Sequence, residues 1–277
     1  MSVRALALAC HPGPTAVVTA LALALAIGIG ASVPVAVAVT AAVLAGQLSI
    51  GWSNDWIDAR RDVAAGRTDK PVVGGAVQAD QLRVAALTAA AVCVPLSFSV
   101  GWHAGVVHLA AVASGWAYND GLKSTVWSWT PYAVAFGLLP VFIVLALPGE
   151  PATAGWAVAA AALLGVGAHL ANVLPDLEDD QAHGIHGLPH RLGRTGTSLA
   201  APAVLGVAVA VVVLAPDGEP GPVAWGTGLL AVLLAAGAGI VAVVRPTSRL
   251  PFALTMAVAA ACVTLLVLAG PEVVLRT

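Results

Sequence analysis

The chain has 277 residues, of which 59% are hydrophobic and only 9% charged, with a formal net charge of −2. A soluble domain carries roughly 25% charged residues, so this composition excludes a water-exposed fold and indicates an all-α integral membrane protein. The near-neutral balance gives no general attraction to nucleic acid, and no nucleic-acid partner is expected; membrane lipids are.

The first ten residues hold one arginine and an apolar run too short for the core of a signal peptide, so the N-terminus is read as retained. A spanning helix needs about 20 mostly apolar residues. On that criterion the spacing predicts nine helices over 14–31, 33–53, 82–101, 103–119, 127–147, 153–174, 197–215, 222–244 and 251–270. Between them lie breaks rich in Gly, Pro and small polar residues, such as Ser32-Val33-Pro34, Pro148-Gly149-Glu150-Pro151 and Pro246-Thr247-Ser248-Arg249. Cys10, Cys93 and Cys262 are far apart and read as small apolar side chains rather than a disulfide or metal framework. Paired glycines such as Gly165/Gly167 and Gly237/Gly239 are expected to let helices pack closely.

Nine spans put successive connections on alternate sides. One side then receives Arg4, Arg60, Arg61, Arg67, Lys70, Arg83, Lys123, Arg191, Arg194, Arg245 and Arg249, and the other only Arg276. That asymmetry places the N-terminus in the cytoplasm and the C-terminus outside. Of the 26 charged residues, ten fall in 55–83 and six in 176–194, both on the cytoplasmic side.

Those two windows carry the chemistry. The first begins Asn54-Asp55-Trp56-Ile57-Asp58-Ala59-Arg60-Arg61-Asp62. At ~100° per residue, Asp55, Asp58 and Asp62 form one stripe with Asn54 at its edge, and Gln47 points the same way deeper in the membrane. In the second window, His169, Asn172, Asp176 and Asp180 recur at spacings of three and four, while Glu178 points away and Pro175 loosens the helix. Polar stripes of this kind belong to the bundle interior. So many carboxylates together repel one another unless cations join them, and Mg2+, with Mn2+ as the alternative ion, takes all-oxygen ligands of this type completed by substrate phosphates. Arg67, Lys70 and Lys123 suit a diphosphate. The competing reading pairs the aspartates with Arg60, Arg61, Arg67 and Lys70 in a solvated loop. His183, His186 and His190 follow the second cluster at a spacing that does not read as a metal site.

On these residues the chain resembles the UbiA superfamily of intramembrane prenyltransferases. The N-D-x-x-D-x-x-x-D pattern is matched at Asn54, Asp55, Asp58 and Asp62, and the D-x-x-x-D pattern at Asp176 and Asp180; residues 66–71 look like that family's R-x-x-R/K-P element. The resemblance implies one domain over 1–277, with nine transmembrane helices around a central cavity and a cytoplasmic cap from the 2–3 and 6–7 loops. It implies Mg2+ held by Asp55, Asp58, Asp62, Asp176 and Asp180, the catalytic residues, and a prenyl diphosphate donor contacted by Asn54, Arg67, Lys70, Tyr118 and Lys123. Asn172, on the second stripe, joins the substrate-binding set. The expected reaction is metal-assisted ionisation of the allylic diphosphate and transfer of the isoprenyl group to a small aromatic or lipidic acceptor. The alternative is a UbiA-type terpene cyclase, which needs no second substrate. A transporter would need polar residues through the full membrane thickness, and the outer halves here are nearly uncharged.

Overall fold

The computed structural model describes residues 3–67, 70–245 and 248–275. Thr68 and Asp69 of the basic element, Pro246 and Thr247 of the last break, and Arg276 lie outside the described residues. The chain is helical almost throughout: α1 Val3–Ala9, α2 Pro12–Gly28, α3 Val33–Ala64, α4 Ala79–Phe98, α5 Trp102–Asn119, α6 Thr130–Leu145, α7 Gly155–Val173, α8 Leu177–Ala182, α9 Leu188–Leu214, α10 Pro222–Val244, α11 Leu250–Leu268 and α12 Gly270–Val273. A two-residue antiparallel pairing of β1, Ala152–Thr153, with β2, Val274–Leu275, ties the α6–α7 connection to the C-terminal end.

The expected breaks match the observed ones to within a few residues at most helix ends, because Pro sits in the first turn of α2, α3, α6, α9, α10 and α11, where no amide hydrogen bond is lost. Two ends differ for a physical reason. Helix α3 runs to Ala64, well past the apolar stretch, so the first acidic cluster is helical, as the stripe of Asp55, Asp58 and Asp62 requires. Helix α9 starts at Leu188, nine residues before the apolar run, and bends at Gly193, whose φ of 69° a side chain would oppose.

Among the described residues, six helices are long and apolar enough to cross a membrane, with a seventh if α1 and α2, bent by 71°, count as one broken span. The nine expected spans exceed that number. Helix α6 has only 16 residues, and α5 carries two histidines and an asparagine in 18. The chain is thus a multi-pass, all-α membrane protein.

Consecutive helices pack as neighbours, α2 on α3, α3 on α4, α4 on α5, α5 on α6, α6 on α7, α7 on α9, α9 on α10 and α10 on α11, and α11 returns to α2. The ring therefore closes. Its apolar core gathers Val39, Phe142, Ile143, Leu205 and Val258, all fully buried. Outward, α4 and α10 present large apolar side chains such as Val84, Leu229, Leu233 and Ile240, the face that hydrocarbon chains solvate.

Small residues set the helix spacing. A methyl on Gly165 would overlap the Tyr132 carbonyl oxygen of α6, one on Gly167 would strike Leu205 of α9, and one on Gly239 would lie 2.8 Å from Pro202. Gly237 meets nothing nearer than 4.0 Å, so only three of these four glycines are at close contacts. Gly165→Ala is expected to lower the thermal-unfolding midpoint in detergent, by an amount corresponding to ~1–3 kcal/mol of overpacking. Gly206→Ala, with open space around it, should leave the midpoint unchanged.

Candidate active site

One end of the ring encloses a cavity of about 560 Å3. Its wall includes Asn54, Asp55, Asp58, Asp62, Arg67, Lys70, Tyr118, Lys123, Asn172, Asp176 and Asp180, the residues expected to bind metal or substrate. Helices α3, α5, α7 and α8 and the connections after α3, α5 and α7 deliver them. Asp55, Asp58 and Asp62 share the inner face of the last turns of α3 and are nearly fully buried. Gln47 and Asn54 line the same wall, as the helical register requires.

Among the described residues, three of the five aspartates pair with a lysine or arginine. Lys70, from the α3–α4 connection, ion-pairs with Asp55. Lys123, on the 3-10 turn Leu122–Ser124 after α5, ion-pairs with Asp58, whose other oxygen accepts from Arg61 at 2.8 Å. Burial pushes the Lys123 ammonium pKa down, opposed by the charge of Asp58. Arg67 reaches across the cavity and donates to Asp176 Oδ2 at 3.1 Å, joining the first acidic segment to the second. The solvated-loop reading is therefore right about pairing and wrong about place, since the Asp55 and Asp58 pairs are buried.

The second segment bends into the site. Helix α7 ends at Val173, a 3-10 turn covers Leu174–Asp176, and α8 follows, so Pro175 does loosen the helix. Asn172, Asp176 and Asp180 face the cavity, while Glu178 turns out to pair with Arg194. His169 leaves the expected stripe. It sits behind the wall, with Nε2 3.0 Å from Ser128 Oγ and its ring 4.8 Å from that of Tyr132. His190 lines the cavity with Nε2 3.9 Å from Asp180, too long for a hydrogen bond.

Two contributors carried no sequence signal. His11 stands at the α1–α2 elbow with a left-handed φ of 55°, its Nε2 3.1 Å from Asp55 Oδ1 and 3.3 Å from Lys70 Nζ. The elbow fits because Gly51 has no side chain where the Cys10 backbone crosses α3, and because Trp52 Nε1 donates to the Leu6 carbonyl at 2.9 Å. Asn119 is the other. It accepts from Asn54 Nδ2 at 3.0 Å and donates to Ser53 Oγ and the Ile50 carbonyl, fixing the amide of Asn54.

Among the described residues, no three carboxylate, imidazole or thiol groups converge closely enough to hold a metal ion by themselves. The donor set nevertheless fits a hard cation. It is all oxygen on the acidic walls, and Asp62 Oδ2 is buried without a hydrogen-bond partner. Such ions commonly take one or two carboxylates and complete their shell with water and substrate phosphate.

Known proteins resemble this chain in sequence and in fold. In sequence, the chain is 33% identical over 186 residues to the bacteriochlorophyll synthase 33 kDa chain of Cereibacter sphaeroides; the match covers 62% of this chain and 60% of the length of that relative. In structure, it superposes with a TM-score of 0.72 on a UbiA homologue from Aeropyrum pernix K1, at 20% identity, covering 90% of this chain and 97% of that one. A UbiA homologue from Archaeoglobus fulgidus, solved with GPP and Mg2+, superposes with a TM-score of 0.69 at 16% identity, over 94% of this chain and 99% of that one. The model of the UbiA prenyltransferase family matches residues 15–261, a stretch that contains both acidic segments and nearly the whole helical ring, and the chain accordingly belongs to that family of membrane prenyltransferases.

Proposed function

We propose that this protein transfers an isoprenyl group from a prenyl diphosphate to a small aromatic or lipidic acceptor inside the membrane, with a divalent cation, Mg2+ in first place and Mn2+ as the alternative. The observation that carries the reading is the meeting of Asp55, Asp58 and Asp62 with Asp176 and Asp180 on one cavity wall that also holds Arg67, Lys70 and Lys123. Few ligands need clustered carboxylates and clustered cations at once; a metal-bound diphosphate does. The Archaeoglobus fulgidus homologues solved with Mg2+ and either GPP or DMAPP support the donor class. The proposed unit is a single domain over 1–277 with nine spans, in which the shorter α5 and α6 cross at the site side of the ring. Its acidic end is capped by the connections after α3 and α7 and faces the cytoplasm, as does the N-terminus. The asymmetric placing of Arg and Lys supports that orientation.

The five aspartates would hold the metal, which supplies charge neutralisation of the diphosphate and makes it a better leaving group. Asn54, held by Asn119, donates to a diphosphate oxygen. Arg67, Lys70 and Lys123 exchange their aspartate partners for the diphosphate as it binds, and hold the negative charge that grows when the allylic C–O bond breaks and its electron pair leaves with the diphosphate. Tyr118, Tyr132 and Asn172 close the wall beside the allylic carbon. The Tyr118 and Tyr132 rings meet edge to face at 5.2 Å, and their π faces favour a carbocation. Apolar side chains below exclude water until the acceptor attacks.

Asp58→Asn and Asp176→Asn should each lower metal-dependent diphosphate release at least about a hundredfold, with the protein still inserted and folded. Full activity in both would refute the site. Arg67→Ala should weaken donor binding about tenfold or more, through a lost charge-assisted hydrogen bond, read as KM for the donor. Chelation should abolish turnover and Mg2+ restore it. Membranes given labelled C10 to C20 prenyl diphosphates should yield a prenylated adduct; a terpene hydrocarbon or alcohol from the donor alone would select the cyclase instead.

A further inference from the structure

A second, narrow apolar cavity of about 30 Å3 lies in the ring, and two of its lining side chains, Val18 and Phe136, also line the main cavity. The helical register shows where it sits. On α2 the lining passes from Val18 to Leu21 and Leu25, on α6 from Phe136 to Leu139, and on α11 from Met256 to Ala259, Val263 and Leu266. On α7, which enters the site at its C-terminal end, it passes backward from Ala168 to Leu164 and Ala161. All four helices thus carry the lining one or more turns further from the aspartates, about 5.4 Å per turn. The narrow cavity is a continuation of the main one along the bundle axis, and Val18 and Phe136 are the partition between them.

Phe136 is held firmly for that role. Its ring stacks with Tyr132 at 6.5 Å, and the bare Cα of Gly165 on α7 lies against its Cβ. The space above the partition is polar at the aspartate end and apolar near Val18, Ala135, Phe252 and Met256. A ligand with an ionic head and a hydrocarbon tail matches this gradient when its tail points toward Phe136.

We infer that Phe136, with Val18 beside it, is the floor that limits the length of the donor's isoprenoid tail, and that the narrow cavity beneath is the path a longer tail takes when the floor is removed. The inference rests on the prenyl diphosphate reading of the site. Each further isoprenyl repeat adds apolar chain that must find a cavity, displace a side chain or leave the bundle. With Phe136 in place the axial route is shut. Phe136→Ala joins the two cavities.

The test uses the full-length protein in detergent with Mg2+ and non-hydrolysable thiolodiphosphate analogues of the C10 and C20 donors, with affinities read by calorimetry. In Phe136→Ala the preference for C20 over C10 should rise about tenfold, through newly buried methylenes, while C10 affinity stays within about threefold of wild type. Val18→Ala, a milder change on the opposite wall, should move the preference in the same direction. Phe136→Ala combined with Ala161→Leu, which refills the space below, should cancel the gain. An unchanged C20-to-C10 preference in both Phe136→Ala and Val18→Ala, with C10 still bound, overturns the floor and leaves the donor reading intact. Failure of the wild-type protein to bind either analogue overturns the donor reading and the floor together.

Discussion

Carboxylates inside a membrane bundle persist only if cations meet them there, and this requirement organises the active end of the molecule. Asp55 and Asp58 are nearly fully buried on α3. Removing the partner of a buried ion pair costs about 3–5 kcal/mol, because the remaining charge is left in a poor solvent. The partners come from elsewhere in the chain: Lys70 from the connection after α3, Lys123 from the turn after α5, and Arg67 across to Asp176 on the far wall. Satisfying the charges therefore folds three separate segments over one cavity. Asp62 is the exception: its Oδ2 is buried without a hydrogen-bond partner, and on the proposed reading it is the carboxylate that a bound cation would satisfy.

Much of this arrangement was legible in the sequence, and the residues show why. A stripe at 55, 58 and 62 reads directly as one helix face, and a helical register also predicts Gln47 and Asn54 on that face. The basic residues that follow the first acidic segment point to Arg67 and Lys70, and Lys123 is read from its place at a helix end on the same side. His169 failed because the inner face of α7 runs through Ala168 and Asn172, which leaves His169 one position round the helix and turned to Ser128, while the 3-10 turn at Leu174–Asp176 resets the register for Asp176 and Asp180. His11 and Asn119 depend on tertiary approach, the first on a backbone crossing allowed by Gly51, the second on three hydrogen bonds to α3. Periodicity carries no information of that kind. The helix breaks were legible from Gly and Pro, whereas the nine expected spans exceed the six or seven described helices long and apolar enough to cross, because α6 is apolar but has only 16 residues and α5 carries polar groups.

One polar cluster away from the aspartates is satisfied locally. His108 on α5 is buried, with Nδ1 2.7 Å from Ser97 Oγ and its ring stacked 4.3 Å from Phe142. Ser97 also donates to the Cys93 carbonyl at 2.6 Å. This cluster joins α4, α5 and α6 in the manner of interhelical hydrogen bonds in lipid. It does not line the main cavity.

That separation decides between a transferase and an ion pathway. A transporter needs polar lining from one face of the membrane to the other. Here the polar lining stops at Val18 and Phe136, the space beyond is narrow and bounded by Leu21, Leu25, Leu164 and Leu266, and the core around Val39, Phe142 and Leu205 is sealed. A blind cavity with charge at its mouth and hydrocarbon at its base is suited to an amphiphilic reactant that enters, reacts at the polar end and leaves by the same end or between helices. Water reaching the base would quench an allylic cation, and an open channel would admit it. The closure that argues against conduction would also protect the allylic cation of the proposed reaction.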